Sequence, residues 1–339
     1  MEPGARSVAL RLLLSVVLAA AFIAALAPHL RTIPENLSVP PWALVGYVAT
    51  LVPYHLLRAG RWHVLVRPLG NVGWRGSTLV ALAGYMWIAV LPFRLGELAR
   101  PLFLTQHAGI ASRRALGTVA IERVVDGLVV CGLFFGAIAI VGQPPGYERL
   151  FEVTVGVMAA FAGALVLLLF MAVRPHAGGR LVRYIFGRVA PRLAARLANL
   201  ATGIAEGLAA LPSARPLASF VALTLTYWLV NALGMWLLAR GCGLPLDLAE
   251  TVAVLAVMNI ALLVPGGPAQ LGVFQTGVAI GLGLFVSPEA VQHQGSTFTF
   301  YLYVCQLATI AMVGLWAQRK LALDWRVVLR MGGRSNPSA

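Results

Sequence analysis

The sequence predicts an all-α, polytopic membrane protein with about six full transmembrane helices and two re-entrant hairpins arranged as an inverted repeat. The 339-residue chain is 59% hydrophobic and only 11% charged, whereas a soluble domain has about 25% charged residues. Several apolar runs reach the roughly 20 residues that a helix needs to cross a bilayer. Two apolar regions are broken near their middle by proline and glycine, and no stretch shows the alternation of a β-barrel. We interpret residues 1–339 as a single membrane domain.

The chain has a net charge of +14, and the distribution of its arginines indicates which loops face the cytoplasm. In a soluble protein such an excess would suggest nucleic-acid binding. Here the arginines cluster in a few connecting loops, as the positive-inside rule predicts for cytoplasmic loops. We therefore predict a multi-pass protein of the bacterial inner membrane, with both termini in the cytoplasm and no nucleic-acid partner.

The first helix is predicted at residues 8–28, and Arg6 and Arg11 place its start in the cytoplasm. Pro28 directly follows an A-x-A motif and disfavours cleavage, so we interpret the run as an uncleaved helix rather than a signal peptide. A second helix is predicted at 41–57. It is followed by four arginines that we interpret as a basic cytoplasmic loop: Arg58, Arg61, Arg67 and Arg75.

The apolar region 77–112 has basic residues at both ends, so both ends are predicted to lie in the cytoplasm. Its 36 residues are slightly too few for two complete crossings and a turn, because a helix rises about 1.5 Å per residue. Pro92 and Gly96 interrupt the region in its middle. We predict a re-entrant hairpin with LPFRLGELARP, residues 91–101, at its tip. Such backbone must be buried in protein or line a watery cavity.

A helix at 115–141 leads outward and completes the first repeat, 41–141. The next segment, 150–212, contains a helix at 150–173 and then a basic stretch with apolar residues between its arginines. This pattern fits an amphipathic helix on the cytoplasmic leaflet, where anionic lipid attracts each arginine by about 1 kcal/mol. A basic connecting loop fits the pattern equally well.

The second repeat, 217–318, has the same layout in the opposite direction. A helix at 217–239 precedes the apolar region 251–287, which is broken by PGGPAQLG and has no basic residue at either end. We predict a second re-entrant hairpin that enters from the outside, followed by a last helix at 297–318.

The two hairpins also share a short sequence, because PFRLG at 92–96 matches PAQLG at 268–272. Together with the similar lengths and break positions, this match indicates an inverted repeat. Inverted repeats with broken helices are typical of alternating-access transporters, whose substrate site lies between the repeats.

Six charged side chains are predicted to lie at membrane depth, where each unpaired charge costs about 2.5–3.5 kcal/mol. They must therefore pair or face water. One interpretation is a salt-bridge network that holds the first hairpin to the next helix. The other is a polar cavity where an arginine receives an anionic headgroup, since a guanidinium donates two parallel hydrogen bonds to phosphate, and where a carboxylate could carry a coupling proton. The two are compatible, and the residues are Arg94, Glu97, Arg100, Glu122, Arg123 and Asp126.

The second hairpin is predicted to add uncharged groups to the same substrate site. Gly266, Gly267 and Gly272 permit close approach of the backbone to a ligand, and Gln270 and Gln275 offer hydrogen bonds. Small residues at these positions equally fit tight helix packing. The sequence contains no nucleophile–base pair, P-loop or set of metal ligands, so we predict no enzyme activity, cofactor or metal.

Three motifs, taken in order, resemble those of a known family. LPFRLGELARP at 91–101, AIERVVDG at 120–127 and VPGGPAQLGVFQ at 264–275 resemble stand-alone flippase-like membrane proteins related to the transmembrane domain of lysylphosphatidylglycerol synthases. The resemblance covers nearly the whole chain. The positions that meet the family pattern are Pro92, Arg94, Gly96, Glu97, Arg100, Glu122, Arg123, Asp126, Pro265, Gly266, Gly267, Gly272 and Gln275.

The departures from the family pattern limit what the resemblance implies. Many relatives have glutamate where this chain has Gln275, and the segment 268–270 lengthens the loop. The synthases carry a cytoplasmic aminoacyltransferase domain, whereas this chain stops soon after its last predicted helix. The resemblance therefore implies translocation of a lipid, anionic or polyprenyl-phosphate-linked. Two alternatives are a non-transporting lipid-binding partner of a separate lipid- or glycan-modifying enzyme and an intramembrane transferase.

Overall fold

The computed structural model describes residue 34 and residues 37–186, 190–211, 213–264 and 266–329. Within these residues all regular secondary structure is helical, as the sequence predicts. The helix predicted at 8–28 lies outside the described residues. Four described segments are long and apolar enough to cross a membrane: Ser112–Val141, Tyr147–Val173, Ala214–Gly241 and Pro288–Lys320.

The first described helix, α1, runs from Pro41 to Val66 and is longer than the predicted helix at 41–57. Arg58 and Arg61 therefore lie inside a helix, and their assignment to a basic cytoplasmic loop was wrong. Arginine is a good helix former, and Arg61 is fully buried against partners from other helices. A short 3₁₀ turn, Arg67–Leu69, follows α1.

The first hairpin consists of helix α2, Trp74–Val90, a 3₁₀ segment, Pro92–Leu98, and helix α3, Ala99–Ala108. Its second arm has ten residues and is about 15 Å long, half of the roughly 30 Å hydrocarbon core. The chain then turns at Gly109, which has a φ of 68°, and enters helix α4, Ser112–Val141. The broken hairpin occupies residues 74–108, where the sequence predicted a hairpin at 77–112.

Three helices connect the repeats: α5, Tyr147–Val173, α6, Pro175–Phe186, and α7, Pro191–Ala209. Most of the described part of the basic stretch is thus helical. Helix α7 is amphipathic, and one face of it packs against α4 and α5. The buried alanine and leucine side chains on that face are Ala194, Ala198, Ala205 and Leu208.

The second repeat begins with helix α8, Ala214–Gly241. Its hairpin consists of helix α9, Leu248–Ala261, a 3₁₀ turn, Pro268–Gln270, and helix α10, Val273–Leu282. Asp247 and Glu250 cap the start of α9 reciprocally, as in a capping box. The chain continues through α11, Pro288–Gln292, α12, Gln294–Lys320, and α13, Arg326–Leu329.

The packing between the repeats has a reciprocal pattern. The first helices of the two repeats, α1 and α8, lie along each other. The first hairpin arm α2 packs against the closing helix α12 of the other repeat, and the corresponding arm α9 packs against α4. The two 3₁₀ segments at the hairpin tips also contact each other. Each repeat thus packs its first hairpin arm against the last helix of the other repeat. Such reciprocal packing is expected of two repeats with the same order of helices.

The charged residues lie between two hydrophobic cores. Among the described residues the buried apolar side chains form two clusters. On α1, Tyr54 belongs to one cluster and Trp62 to the other, and on α4 the same holds for Val130 and Ile121. The fold therefore places the polar site at the junction of two apolar cores, where apolar packing is interrupted.

Candidate functional site

The innermost part of the site is an ion network that is buried inside the protein. The side chains of Arg61, Arg100 and Glu122 have no solvent exposure. An Arg100 nitrogen lies 2.7 Å from a carboxylate oxygen of Glu122, and Arg61 lies 3.3 Å from Glu122 and 2.8 Å from Asp126. Gly84 of α2 makes room for this arrangement, because a Cβ atom there would collide with the Arg100 side chain.

The network continues outward to the tip of the first hairpin. Arg123 lies 3.0 Å from Asp126 and 3.8 Å from Glu97, and it also contacts Glu122. Arg94 is 2.8 Å from Glu97 and donates to the carbonyl oxygen of Leu262 at 3.2 Å. The structure thus brings together all six charged residues that the sequence predicted, and it extends the chain of contacts to the second hairpin.

Hydroxyl groups of α2 and α8 complete the network. The Tyr227 hydroxyl donates to Asp126 at 2.7 Å, and an Arg61 guanidinium nitrogen donates to the Thr224 hydroxyl at 2.7 Å. The Tyr85 hydroxyl lies 3.4 Å from a Glu122 oxygen. Because Tyr227 and Thr224 belong to the second repeat, these bonds fasten the two repeats to each other.

Arg58 is an arginine of the site that takes part in none of these ion pairs. Its guanidinium lies 4.2 Å from the centre of the Tyr85 ring and donates to the Tyr54 hydroxyl at 3.4 Å. None of the carboxylates in the described part of the chain forms a salt bridge with it. Five arginines therefore face three carboxylates, which leaves a surplus of two positive charges: Arg58, Arg61, Arg94, Arg100 and Arg123 against Glu97, Glu122 and Asp126.

A cavity of about 610 Å³ lies between the repeats and borders this network. Arg58 and Arg123 belong to its wall on the side of the first repeat, and Trp228 and Phe274 belong to the side of the second. Its volume is in the range of small-molecule binding pockets, roughly 300–1,000 Å³. A charged wall beside a partly open cavity of this size can accommodate the headgroup of an anionic ligand.

The predicted site residues divide into three groups. Five of them line the cavity: Arg94, Glu97, Arg123, Asp126 and Gln270. Arg100 and Glu122 are buried behind its wall and pair with each other. Four are not part of the lining: Gly266, Gly267, Gly272 and Gln275. The Gln275 side chain accepts from the Gly272 amide at 2.7 Å and so caps the start of α10.

Sequence reasoning missed the contribution of α1. Tyr54, Arg58 and Arg61 are spaced four and three residues apart, which places them on one face of a helix. That spacing is visible in the sequence, but it places the three residues on one helix face only if the helix continues beyond residue 57, where the predicted helix ended. The contributions of Tyr227 and Thr224 left no such signal, because both stand within an ordinary apolar run.

The site offers no arrangement for a structural or catalytic metal ion. Among the described residues there is no group of three or more histidine, cysteine, aspartate and glutamate side chains that could hold one. Its carboxylates are instead paired with arginines.

The fold and the site together define a multi-pass helical membrane protein with two broken hairpins that meet at a charged cavity. The family model of the lysylphosphatidylglycerol synthase transmembrane region matches residues 8–291. The chain therefore belongs to that family, as the resemblance of its motifs indicated. No curated protein and no solved structure shows a significant match to the chain.

Proposed function

We propose that this protein translocates an anionic or polyprenyl-phosphate-linked lipid across the bacterial inner membrane, without an enzymatic step. The headgroup passes through the cavity between the two repeats, and both termini lie in the cytoplasm. The observation that carries this proposal is Arg58, a cavity-lining arginine with no carboxylate partner among the described residues.

The charge balance of the site favours an anionic headgroup. An unpaired charge in a membrane interior is costly, and the network has two positive charges more than its carboxylates neutralise. A bound phosphate would compensate this surplus. Arg94 and Arg123 keep 28% and 22% of their side chains exposed, so their guanidinium groups remain accessible beside Arg58. Charge-assisted hydrogen bonds from arginine to phosphate are among the strongest in proteins.

The rim of the cavity favours a ligand with apolar chains. Leu95 and Leu98 of the first hairpin and Leu263 of the second line the cavity, and all three are exposed. An acyl or prenyl chain can lie against these side chains while the headgroup occupies the charged part. This combination of a charged interior and an apolar rim supports a lipid over a soluble anion.

The contact between the hairpin tips supports a transport mechanism. Arg94 reaches from the first hairpin to the Leu262 carbonyl oxygen of the second at 3.2 Å, and the 3₁₀ segments at the two tips contact each other. These contacts lie at the boundary between the repeats, which alternating access would open.

The test is lipid flipping by the purified full-length protein in liposomes. We expect headgroup-labelled anionic lipid to change leaflets, as measured by quenching, and the Arg58→Gln variant to slow this at least tenfold. Arg67→Gln, which changes an exposed arginine just beyond α1, is the matched control and should leave the rate unchanged.

Other outcomes of the same experiment discriminate against the proposal. Binding of anionic lipid that depends on Arg58, without flipping, would indicate a lipid-binding partner of a separate enzyme. A chemically altered lipid formed by the purified protein would indicate an intramembrane transferase. Flipping that is equally fast in Arg58→Gln would remove the charged cavity from the mechanism.

A further inference from the structure

One part of the cavity wall contains buried polar side chains that the ion network does not use. His55 is 2% exposed, Asn231 is 3% exposed and Trp228 is 6% exposed, and all three line the cavity. Within the described ranges of the chain, no hydrogen-bond partner lies at either ring nitrogen of His55, at the indole nitrogen of Trp228 or at the Asn231 carbonyl oxygen. Buried polar groups in folded proteins are nearly always satisfied, so these atoms point to a ligand.

These three side chains adjoin the charged wall through a series of aromatic rings. The Tyr54 ring lies 4.8 Å from the His55 ring and 5.7 Å from the Tyr227 ring, centre to centre. The Tyr227 ring lies 4.9 Å from the ring of Trp228, and its hydroxyl donates to Asp126 at 2.7 Å. A single headgroup can therefore contact the arginines with its phosphate and this neutral surface with the group attached to the phosphate.

The hydrogen-bonding pattern of the neutral surface restricts that attached group. The Trp228 indole only donates, the Asn231 carbonyl oxygen only accepts, and a neutral imidazole offers one donor and one acceptor. A phosphate only accepts, so it cannot satisfy Asn231. An ammonium group only donates, and the carboxylates that line the cavity, Glu97 and Asp126, are already paired with arginines. Hydroxyl groups both donate and accept, and they match the whole set.

We propose that His55, Trp228 and Asn231 form a subsite for the hydroxyl groups of a neutral polyol, either a sugar or a glycerol, linked to the phosphate of the lipid. This inference rests on the proposed function and narrows its substrate class. Amide side chains of Asn259, Gln270 and Gln306 also line the cavity, and they extend the uncharged hydrogen-bonding surface for a larger headgroup.

The test measures binding of two matched lipid pairs to the full-length protein in nanodiscs. One pair is phosphatidylglycerol and phosphatidic acid, and the other is a polyprenyl-phosphate hexose and the bare polyprenyl phosphate. We expect Asn231→Leu to weaken binding of the polyol member of at least one pair tenfold or more, and to change binding of its partner less than twofold. The pair that responds identifies the source of the hydroxyl groups.

Three further variants make the result interpretable. Leu233→Ala changes an exposed apolar residue two positions further along α8 and should alter neither pair. His55→Leu is a second route to the same loss if Asn231→Leu does not fold, and His55→Gln, which keeps a donor and an acceptor, should restore part of the affinity. Equal weakening of both members of each pair, or no weakening of either, would overturn the subsite. Unchanged binding of all four lipids in Arg58→Gln would instead count against the proposed function itself.

Discussion

Arg94 and Gln270 occupy matching positions in the two hairpins and adopt the same left-handed backbone conformation, with φ values of 56° and 59°. Each is the third residue of its five-residue match, PFRLG at 92–96 and PAQLG at 268–272. Positive φ is uncommon outside glycine, so its occurrence at both positions is independent support for a common origin of the hairpins. Both side chains line the cavity, one with a charge and the other with an amide.

The left-handed conformation at Gln270 predicts how this position tolerates substitution. Asparagine adopts positive φ more readily than most residues, whereas a β-branched residue is strained there. We expect Gln270→Asn to keep the thermal stability close to that of the native protein. We expect Gln270→Val to lower the free energy of unfolding by about 1–3 kcal/mol. Equal melting temperatures of the two variants in detergent would contradict this prediction.

Gly96 is predicted to be intolerant of any side chain. A Cβ atom at this position would overlap the backbone of Trp87 on the facing arm of the hairpin, and backbone cannot move aside as a flexible side chain can. We expect Gly96→Ala to destabilise the protein by about 1–3 kcal/mol, measured by thermal unfolding. Gly132→Ala is the control, because nothing lies within 4 Å of the added atom, and it should be neutral or stabilising. A stable Gly96→Ala would mean that the hairpin arms lie further apart.

Removal of the Tyr227 hydroxyl tests the connection between the repeats. The hydroxyl donates to the buried carboxylate of Asp126 at 2.7 Å, and a hydrogen bond to a charged group contributes about 1.5–3 kcal/mol. We expect Tyr227→Phe to reduce stability by an amount in this range, measured by chemical or thermal unfolding in micelles. Tyr184→Phe removes the same atom from an exposed side chain and should have no effect. Equal unfolding curves for the two variants would show that the bond is dispensable.

Glu122 is predicted to be the most sensitive position of the ion network. Its neutralisation leaves the fully buried Arg61 and Arg100 with too little negative charge, and removing one partner of a buried pair costs about 3–5 kcal/mol. We expect Glu122→Gln to unfold or fail to accumulate, whereas Glu148→Gln at the exposed start of α5 should behave as the native protein.

A double substitution distinguishes pairing from a general need for polar groups at Glu122. With Arg100→Met added to Glu122→Gln, part of the lost stability should return, because the second change removes one of the unpaired charges. Losses that simply add in the double variant would show that Arg100 and Glu122 do not depend on each other.

The sequence predicted the elements whose signals are local. Long apolar runs identified helices such as Ser112–Val141, and Pro92 and Gly96 located the break in the first hairpin. The end of α1 was predicted to be a loop because Arg58 and Arg61 are charged, and the sequence does not show which side chains contact them. The partners of Arg61 are distant in the chain: Asp126 lies 65 residues away and Thr224 lies 163 residues away. Sequence periodicity does not indicate contacts between residues so far apart in the chain. Only the structure shows that His55, Trp228 and Asn231 lie together in the cavity wall.

The pairing of Arg94 with Glu97 determines how a membrane voltage would act on the tip of the first hairpin. The two side chains are three residues apart in one 3₁₀ segment and 2.8 Å from each other, so they would move together as a unit without net charge. A membrane voltage of 100 mV does about 2.3 kcal/mol of work on each elementary charge that crosses it, and close to none on such a unit. Any voltage dependence of the proposed transport should therefore come from the charge of the lipid headgroup, or from arginines outside this pair such as Arg58, rather than from Arg94 and Glu97.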